Sequence, residues 1–242
     1  MKRCIVNAGV GKWYPQGQER LKKSLIEDDR KAGADLLFWD CWPPGSPPHN
    51  RLPFAFKSHA FRNAKEAGYR HILWLDCSCW AVQSLEPVWN LIETLGFCFV
   101  NNGYPLGVWL SDYCLEVFGI TREHAMGLTD LTAMMMGVNL DNPAAAAWEL
   151  EFEERCKDPR LMNGTLHNVP GERMIDPHSN YDCGVISADP RVRGHSREQA
   201  VAGILAHKHG LTNRIISPRF LIQGMPPSQT PPVETIIQSA GM

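Results

Sequence analysis

The 242-residue sequence lacks any apolar run long enough to cross a bilayer, and its start, Met1-Lys2-Arg3-Cys4-Ile5-Val6-Asn7, lacks the hydrophobic core of a secretory leader. A cytoplasmic protein without a membrane span is expected. It also lacks a charge excess: 24 Lys and Arg stand against 26 Asp and Glu, for a formal charge of −2, so contact with nucleic acid or an anionic surface would depend on a local patch. No basic amphipathic helix is visible to serve as an anchor. The eight cysteines are scattered through apolar segments, and only Cys77 and Cys79 lie close together, with no second pair at zinc spacing. Reduced thiols and no structural zinc follow. There is no Gly-x-Ser-x-Gly elbow and no paired-histidine metalloprotease helix, which sets hydrolases aside. No internal repeat or low-complexity linker divides the chain.

What is present is the composition of a folded domain, 44% apolar and 21% charged. Residues 4–9 read as a buried strand, and Pro15, Leu21, Leu25 and Ile26 mark a helix ending near Gly33. Residues 36–39 read as a second strand, and this strand–helix–strand order predicts a parallel sheet with a crossover helix. The run Pro43-Pro44-Gly45-Ser46-Pro47-Pro48 can only be a loop. A helix over 54–67, a central strand over 71–75, a helix over 85–95 and a strand over 97–100 follow. Ser111 caps a short helix to Phe118. Further on come a strand over 134–140, a helix from Asn142 to about Lys157, and an irregular stretch over 158–193 in which only 183–187 is strand-like. A helix over 195–209 and a strand over 213–217 end the regular pattern. The expected organisation is one α/β domain over 1–224 and a loosely attached, proline-rich tail over 225–242.

This placement puts Asp76 at the C-terminal end of the central strand, where open α/β sheets bind ligands, so it is the carboxylate best placed for function. Lys57 reads equally well as a solvated helix charge or as a phosphate contact. Cys77, Cys79 and Met134-Met135-Met136 read as packing residues. Trp13, Trp42 and Trp109 lie near loops, where an indole either packs half-buried or stacks on a base or sugar. The basic stretch Arg191-Val192-Arg193-Gly194-His195-Ser196-Arg197 opens a helix. Cations are disfavoured there unless an anion is bound, which makes phosphate recognition its functional reading.

The order of landmarks up to about Leu211 resembles GT-A-like nucleotide-sugar glycosyltransferases of the small, soluble bacterial capsule-type and viral kind. The residues carrying the resemblance are Ile5-Val6-Asn7-Ala8-Gly9, Phe54-Ala55-Phe56-Lys57, Gly68-Tyr69-Arg70-His71-Ile72-Leu73-Trp74-Leu75-Asp76-Cys77-Ser78-Cys79-Trp80, and Phe118-Gly119-Ile120-Thr121. Thr132-Ala133, Glu198-Gln199 and Leu205-Ala206-His207-Lys208 complete the set. The resemblance implies a GT-A-like, Rossmann-related fold, a mostly parallel sheet flanked by helices, and sugar transfer from a nucleotide sugar. It implies Asp76, Glu198 and Gln199 as catalytic, Asn7, Ala8, Gly9, Lys57, Ser78 and Arg193 around the donor, and Asn101, Asn102, Trp109 and Thr132 around the acceptor.

The family's Asp-x-Asp motif holds Mn²⁺ or Mg²⁺ against the donor diphosphate. Asp76 matches its first position and Ser78 replaces its last, so metal dependence stays open, with His195 or Glu198 as a further candidate ligand, or the basic cluster over 191–197 in the metal's role. The acceptor is expected to be either a glycan or a hydroxymethylated pyrimidine in viral DNA, the latter served by the basic stretch and nearby aromatics. Two further functions stay open. One is a nucleotidyltransferase, of whose phosphate loop Gly9-Val10-Gly11-Lys12 is a partial echo. The other is a non-catalytic nucleotide-sugar-binding relative.

Overall fold

The computed structural model describes residues 2–212, 221–223 and 235–240. β1 (Arg3–Ala8), β2 (Asp35–Trp39) and β3 (His71–Leu75) are parallel, joined by α1 (Tyr14–Ile26) and α2 (Phe56–Glu66). β4 (Cys79–Ala81), α3 (Glu86–Leu95), β5 (Phe97–Pro105), α4 (Asp112–Phe118), α5 (Arg122–Met126) and β6 (Thr129–Asn139) follow. The main sheet has the order β2-β1-β3-β6-β5, and only β6 runs against the other four. The chain continues through α6 (Pro143–Arg155), α7 (Pro159–Met162), the hairpin β7 (Arg173–Ile175) and β8 (Asp182–Val185), and α8 (Glu198–Lys208). β9 (Leu221–Gln223) and β10 (Ile237–Ser239) join β4 in a second small sheet.

Strand alternation sorts the core into two faces. Ile5, Leu73, Leu75 and Met135 meet Leu21 and Leu25 of α1 and Val88, Trp89 and Ile92 of α3. Val6, Ile72, Trp74, Met136 and Val138 meet Phe61, Trp148, Phe152 and the apolar residues of α8. The result is a three-layer α/β/α domain with a mostly parallel sheet. At Gly137 a Cβ would lie 2.6 Å from Ile92 Cδ1, so glycine lets α3 lie close on β6. Helix starts follow local chemistry: Ser111 accepts from Cys114 N at 3.1 Å, Thr121 from His124 N at 3.1 Å, and Asn142 from Ala144 N at 2.9 Å. Pro143 occupies the first turn of α6.

Several elements differ from the sequence expectation. β6 begins at Thr129 rather than near 134, and α8 begins at Glu198 rather than at His195. The irregular stretch after Asp158 contains α7 and a complete hairpin. The strand expected over 213–217 lies outside the described residues. The expected loose tail is anchored where it is described: Ile237–Ser239 pairs antiparallel with β4, and Ile236, Ile237 and Ser239 are buried. The apolar Ile236-Ile237 pair fills the sheet face behind Ala81 and Leu85, which outweighs the proline-rich composition before it. No helix among the described residues is long and apolar enough to cross a membrane.

Candidate functional site

The C-terminal ends of β1 and β3 frame a cavity of about 210 Å³, lined by Ala8, Tyr14, Phe54, Phe56, Lys57, Trp74, Asp76, Cys77 and Ser78. Asp76 follows β3 directly. Its backbone N–H donates to Met134 O at 2.9 Å, and its carbonyl closes a turn by accepting from Cys79 N at 2.9 Å. Trp74, two residues earlier on the same strand face, donates its indole N–H to Asp76 Oδ1 at 2.6 Å.

Lys57 forms the floor. Its Nζ lies 2.9 Å from Asp76 Oδ1, 3.0 Å from Glu198 Oε1 and 3.0 Å from the carbonyl of Ala133, so its three N–H donors are all committed. Burial works against the charge on Lys57, but the carboxylates of Asp76 and Glu198 outweigh it and hold the ammonium above its ordinary range. Burial raises the Glu198 carboxyl, against the pull of Lys57. Phe54, whose ring lies 5.9 Å from Nζ, enters α2 with φ of 64°, a left-handed conformation that costs a phenylalanine roughly 1–3 kcal/mol and marks a position held by its surroundings.

A second polar chain runs along β6. Gln199 Oε1 accepts from Ala133 N at 3.2 Å, and its Nε2 donates to Asp130 Oδ2 at 3.0 Å, which also accepts from Asn102 Nδ2 at 2.6 Å. Asp130 is wholly buried with Oδ1 unpartnered, and burial pushes its carboxyl up to about 7. Adjacent residues of α8 thus face two ways, Glu198 to Lys57 and Gln199 to Asp130.

Of the donor residues expected from the sequence, Ala8, Lys57 and Ser78 line the cavity. Asn7 is wholly buried and spent within the protein. It donates to Leu75 O at 2.6 Å and accepts from Gln18 at 2.9 Å and Cys77 Sγ at 3.2 Å, so its side chain ties strand ends together. Gly9 is buried against Gln18. Arg193 lies with Tyr104, 5.4 Å from its ring centroid, and does not line the cavity.

His195 is corrected as a metal ligand. Its Nδ1 accepts from Ser111 N at 3.3 Å, its Nε2 donates to Leu161 O at 2.9 Å, and burial lowers its pKa to about 4. Among the described residues no group of three or more His, Cys, Asp or Glu is placed to hold a metal ion. The basic stretch over 191–197 is partly neutralised internally: Arg191 pairs with Asp189 and Glu123 at 2.6 Å and Arg197 with Asp176 at 2.8 Å, while Arg193 is exposed beside Tyr104.

Of the acceptor residues, Asn102 and Thr132 join the polar chain or its strand, with Thr132 Oγ1 accepting from Met134 N at 3.3 Å. Asn101 caps the turn at Gly103 N at 2.6 Å, and Trp109 packs edge-on against Tyr104 at 5.9 Å. Sequence reasoning missed Tyr14, Phe54, Trp74 and Asp130. A single carboxylate inside Leu128-Thr129-Asp130-Leu131-Thr132-Ala133 was the available signal for the last.

No family model and no curated protein matches the sequence. Solved structures do. Mouse xyloside xylosyltransferase 1 in its apo form superposes with a TM-score of 0.52 at 8% identity, over 99% of this chain and 97% of that one. The galactosyltransferase LgtC in complex with donor and acceptor sugar analogs gives 0.45 at 13% identity, over 98% and 86%. A glycosyltransferase involved in glycosylation of the major capsid of PBCV-1 gives 0.38 at 11% identity, over 65% and 68%. With its one reversed strand and the cavity at the ends of β1 and β3, the chain has the GT-A-like fold, that of mouse xyloside xylosyltransferase 1.

Proposed function

We propose that the chain is a glycosyltransferase that moves a sugar from a nucleotide sugar to a saccharide hydroxyl, with the transferred sugar bound beside Asp76, and with Glu198 behind it on Lys57. The observation that carries this reading is the Lys57 ammonium held between two carboxylates at the floor of the strand-end cavity. The Asp76 carboxylate, held at the cavity wall beside its counter-ion, suits the hydroxyls of a sugar ring, and without Lys57 the burial of Glu198 would favour its protonation. Tyr14, an exposed ring at the cavity wall, supplies a face for the nucleobase. The fold shared with a xylosyltransferase supports the same reading.

The residues do not fit a resident divalent cation of the Asp-x-Asp kind. Asp76 Oδ1 is taken by Trp74 and Lys57, which leaves Oδ2 alone, Glu198 is held on Lys57, Ser78 offers a hydroxyl whose oxygen lies 3.8 Å from Met134 Sδ, and His195 is spent on the backbone. In this reading Lys57 is the counter-ion shared by Asp76 and Glu198. Its donors are committed to Asp76, Glu198 and the Ala133 carbonyl, so it holds the two carboxylates in place and does not reach out to grip a phosphate. Arg191 and Arg197 are paired within the protein and the chain carries a formal charge of −2, which favours a glycan over a DNA acceptor.

The test is a thermal-shift screen of uridine and guanosine diphosphate sugars, followed by mass-spectrometric transfer assays with the binding donor. One donor is expected to raise the melting temperature. Asp76→Asn should lower turnover by about 100-fold or more while the protein stays folded. Absence of any nucleotide-sugar binding, or near wild-type turnover by the variant, refutes the proposal.

A further inference from the structure

A second and larger cleft, about 410 Å³, opens between α4, α7 and the β7–β8 hairpin, and it shares no lining residue with the Asp76 cavity. Its walls carry two tyrosines, Tyr113 and Tyr181, with planar polar groups around them: Arg160, Asn163, Arg173 and Asp182. The Arg160 guanidinium carbon lies 3.4 Å from the Tyr113 ring centroid, and the Tyr113 hydroxyl donates to Asp158 at 2.7 Å.

The charges of this cleft are largely balanced within the protein. Arg173 pairs with Asp182, while Asp112 accepts from Arg122 at 2.6 Å and from Ser187 at 2.8 Å. Arg160, whose guanidinium lies on the Tyr113 ring, and Glu116 add one charge of each sign, so neither a phosphate nor a metal ion meets a surplus of opposite charge. Fixed donors and acceptors beside aromatic faces, with little net charge, match a sugar chain: hydroxyls meet the planar polar groups and the C–H face meets a tyrosine. The volume falls within the roughly 300–1,000 Å³ of small-molecule sites.

The hairpin also links this cleft to the first site. Asp176, between β7 and β8, accepts from Arg197 Nε at 2.8 Å and from Gly164 N at 2.7 Å, and Arg197 immediately precedes Glu198.

We propose that the cleft is a separate carbohydrate-binding site that takes a stretch of neutral oligosaccharide. In the transferase reading this names the acceptor class, a neutral glycan anchored away from its reacting end. The binding itself does not depend on that reading.

The probes are cellotetraose, maltotetraose, xylotetraose and chitotetraose, titrated by calorimetry and ligand-observed NMR into the wild-type protein and variants. At least one is expected to bind with a Kd on the order of 1 mM or tighter. Tyr181→Ala and Arg160→Ala should each weaken it about tenfold or more, whereas Tyr181→Phe, which keeps the ring, and Asp76→Asn should leave it nearly unchanged. Four results overturn the proposal: no binding of any of the four, equal binding by Tyr181→Ala and Arg160→Ala, loss of binding in Asp76→Asn, or tighter binding of a heparin tetrasaccharide than of every neutral probe. If no nucleotide sugar binds but a neutral tetrasaccharide does with this mutational pattern, the transferase reading fails and the cleft assignment stands.

Discussion

Lys57→Met keeps most of the stem but removes the one cation between Asp76 and Glu198. The two carboxylates are not equally placed to bear the loss. The Asp76 side chain keeps 25% of its surface in solvent and the Glu198 side chain 9%, so Asp76 can be rehydrated and Glu198 cannot. Removing one partner of a buried pair costs about 3–5 kcal/mol, which sets the expected loss of stability at neutral pH. Burial already raises the Glu198 carboxyl while Lys57 opposes it, and without Lys57 the folded-state pKa rises further above the unfolded value. A group raised in this way adds stability below its unfolded pKa and loses it as pH rises. The defect should therefore be larger at pH 7.5 than at pH 5, and Lys57→Met combined with Glu198→Gln should recover about half of it or more. Urea unfolding followed by tryptophan fluorescence reports directly, since Trp74 lies 5.3 Å from Nζ. A loss under about 1 kcal/mol, or a larger loss that neither acid nor Glu198→Gln relieves, refutes the assignment of Lys57 as a buried counter-ion.

Three other outcomes are expected. His195 keeps its imidazole neutral, with a pKa lowered by burial to about 4, so stability present above about pH 6.5 should fall by about 3 kcal/mol as pH drops towards 4. In His195→Gln the urea midpoint should depend less on pH over that window, and an unchanged slope would count against it. Asp130, raised by burial to about 7, stabilises below its unfolded pKa and loses that contribution as pH rises to neutrality, so Asp130→Asn should flatten the stability profile between about pH 4 and 7. EDTA should reduce sugar transfer by less than about tenfold, because Asp76 Oδ1 is taken by Trp74 and Lys57 and Ser78 stands in place of a second carboxylate; complete loss of turnover, restored by Mn²⁺ or Mg²⁺, would show that a cation is required.

The parallel half of the sheet was legible because strands buried on both faces leave continuous apolar runs, as at Cys4-Ile5-Val6 and Ile72-Leu73-Trp74-Leu75. Asp76 could be located from that pattern, since a polar residue ending such a run sits at the sheet's ligand edge. The first half of β6 was hidden because Thr129, Asp130 and Thr132 interrupt the run, and their burial is made tolerable by Gln199 and Asn102 from distant segments. The small sheet of β4, β9 and β10 was hidden for a similar reason. Its strands are three residues long, and its register depends on chain more than 150 residues away. Asn7 and His195 have the right residue types at suggestive positions, yet their polar atoms are consumed by backbone groups that no local pattern reveals. Glu198 and Gln199 came from the resemblance, not from the periodicity of α8.

What brings Glu198 to Lys57 is an unusual entry into α8. Arg197 takes φ of 54° and ψ of −122°, a conformation that costs a residue with a side chain on the order of 1–3 kcal/mol. No side chain caps this helix start. The strain is offset by the buried Arg197 guanidinium, which donates to Asp176 at 2.8 Å and to the Gly164 carbonyl at 2.5 Å. Asp176 in turn accepts from Gly164 N at 2.7 Å and His178 N at 2.6 Å, so the segment that leads into the hairpin is locked to the head of α8. Phe54, the other left-handed residue at the site, lies 5.6 Å from the Arg197 guanidinium carbon and packs edge-on against His178 at 5.2 Å. Both strained positions thus rest on the stretch after Asp158 that looked irregular in the sequence. That stretch is a brace: its carboxylate and carbonyl hold the backbone turn from which Glu198 points at Lys57, and its outer face forms the wall of the second cleft.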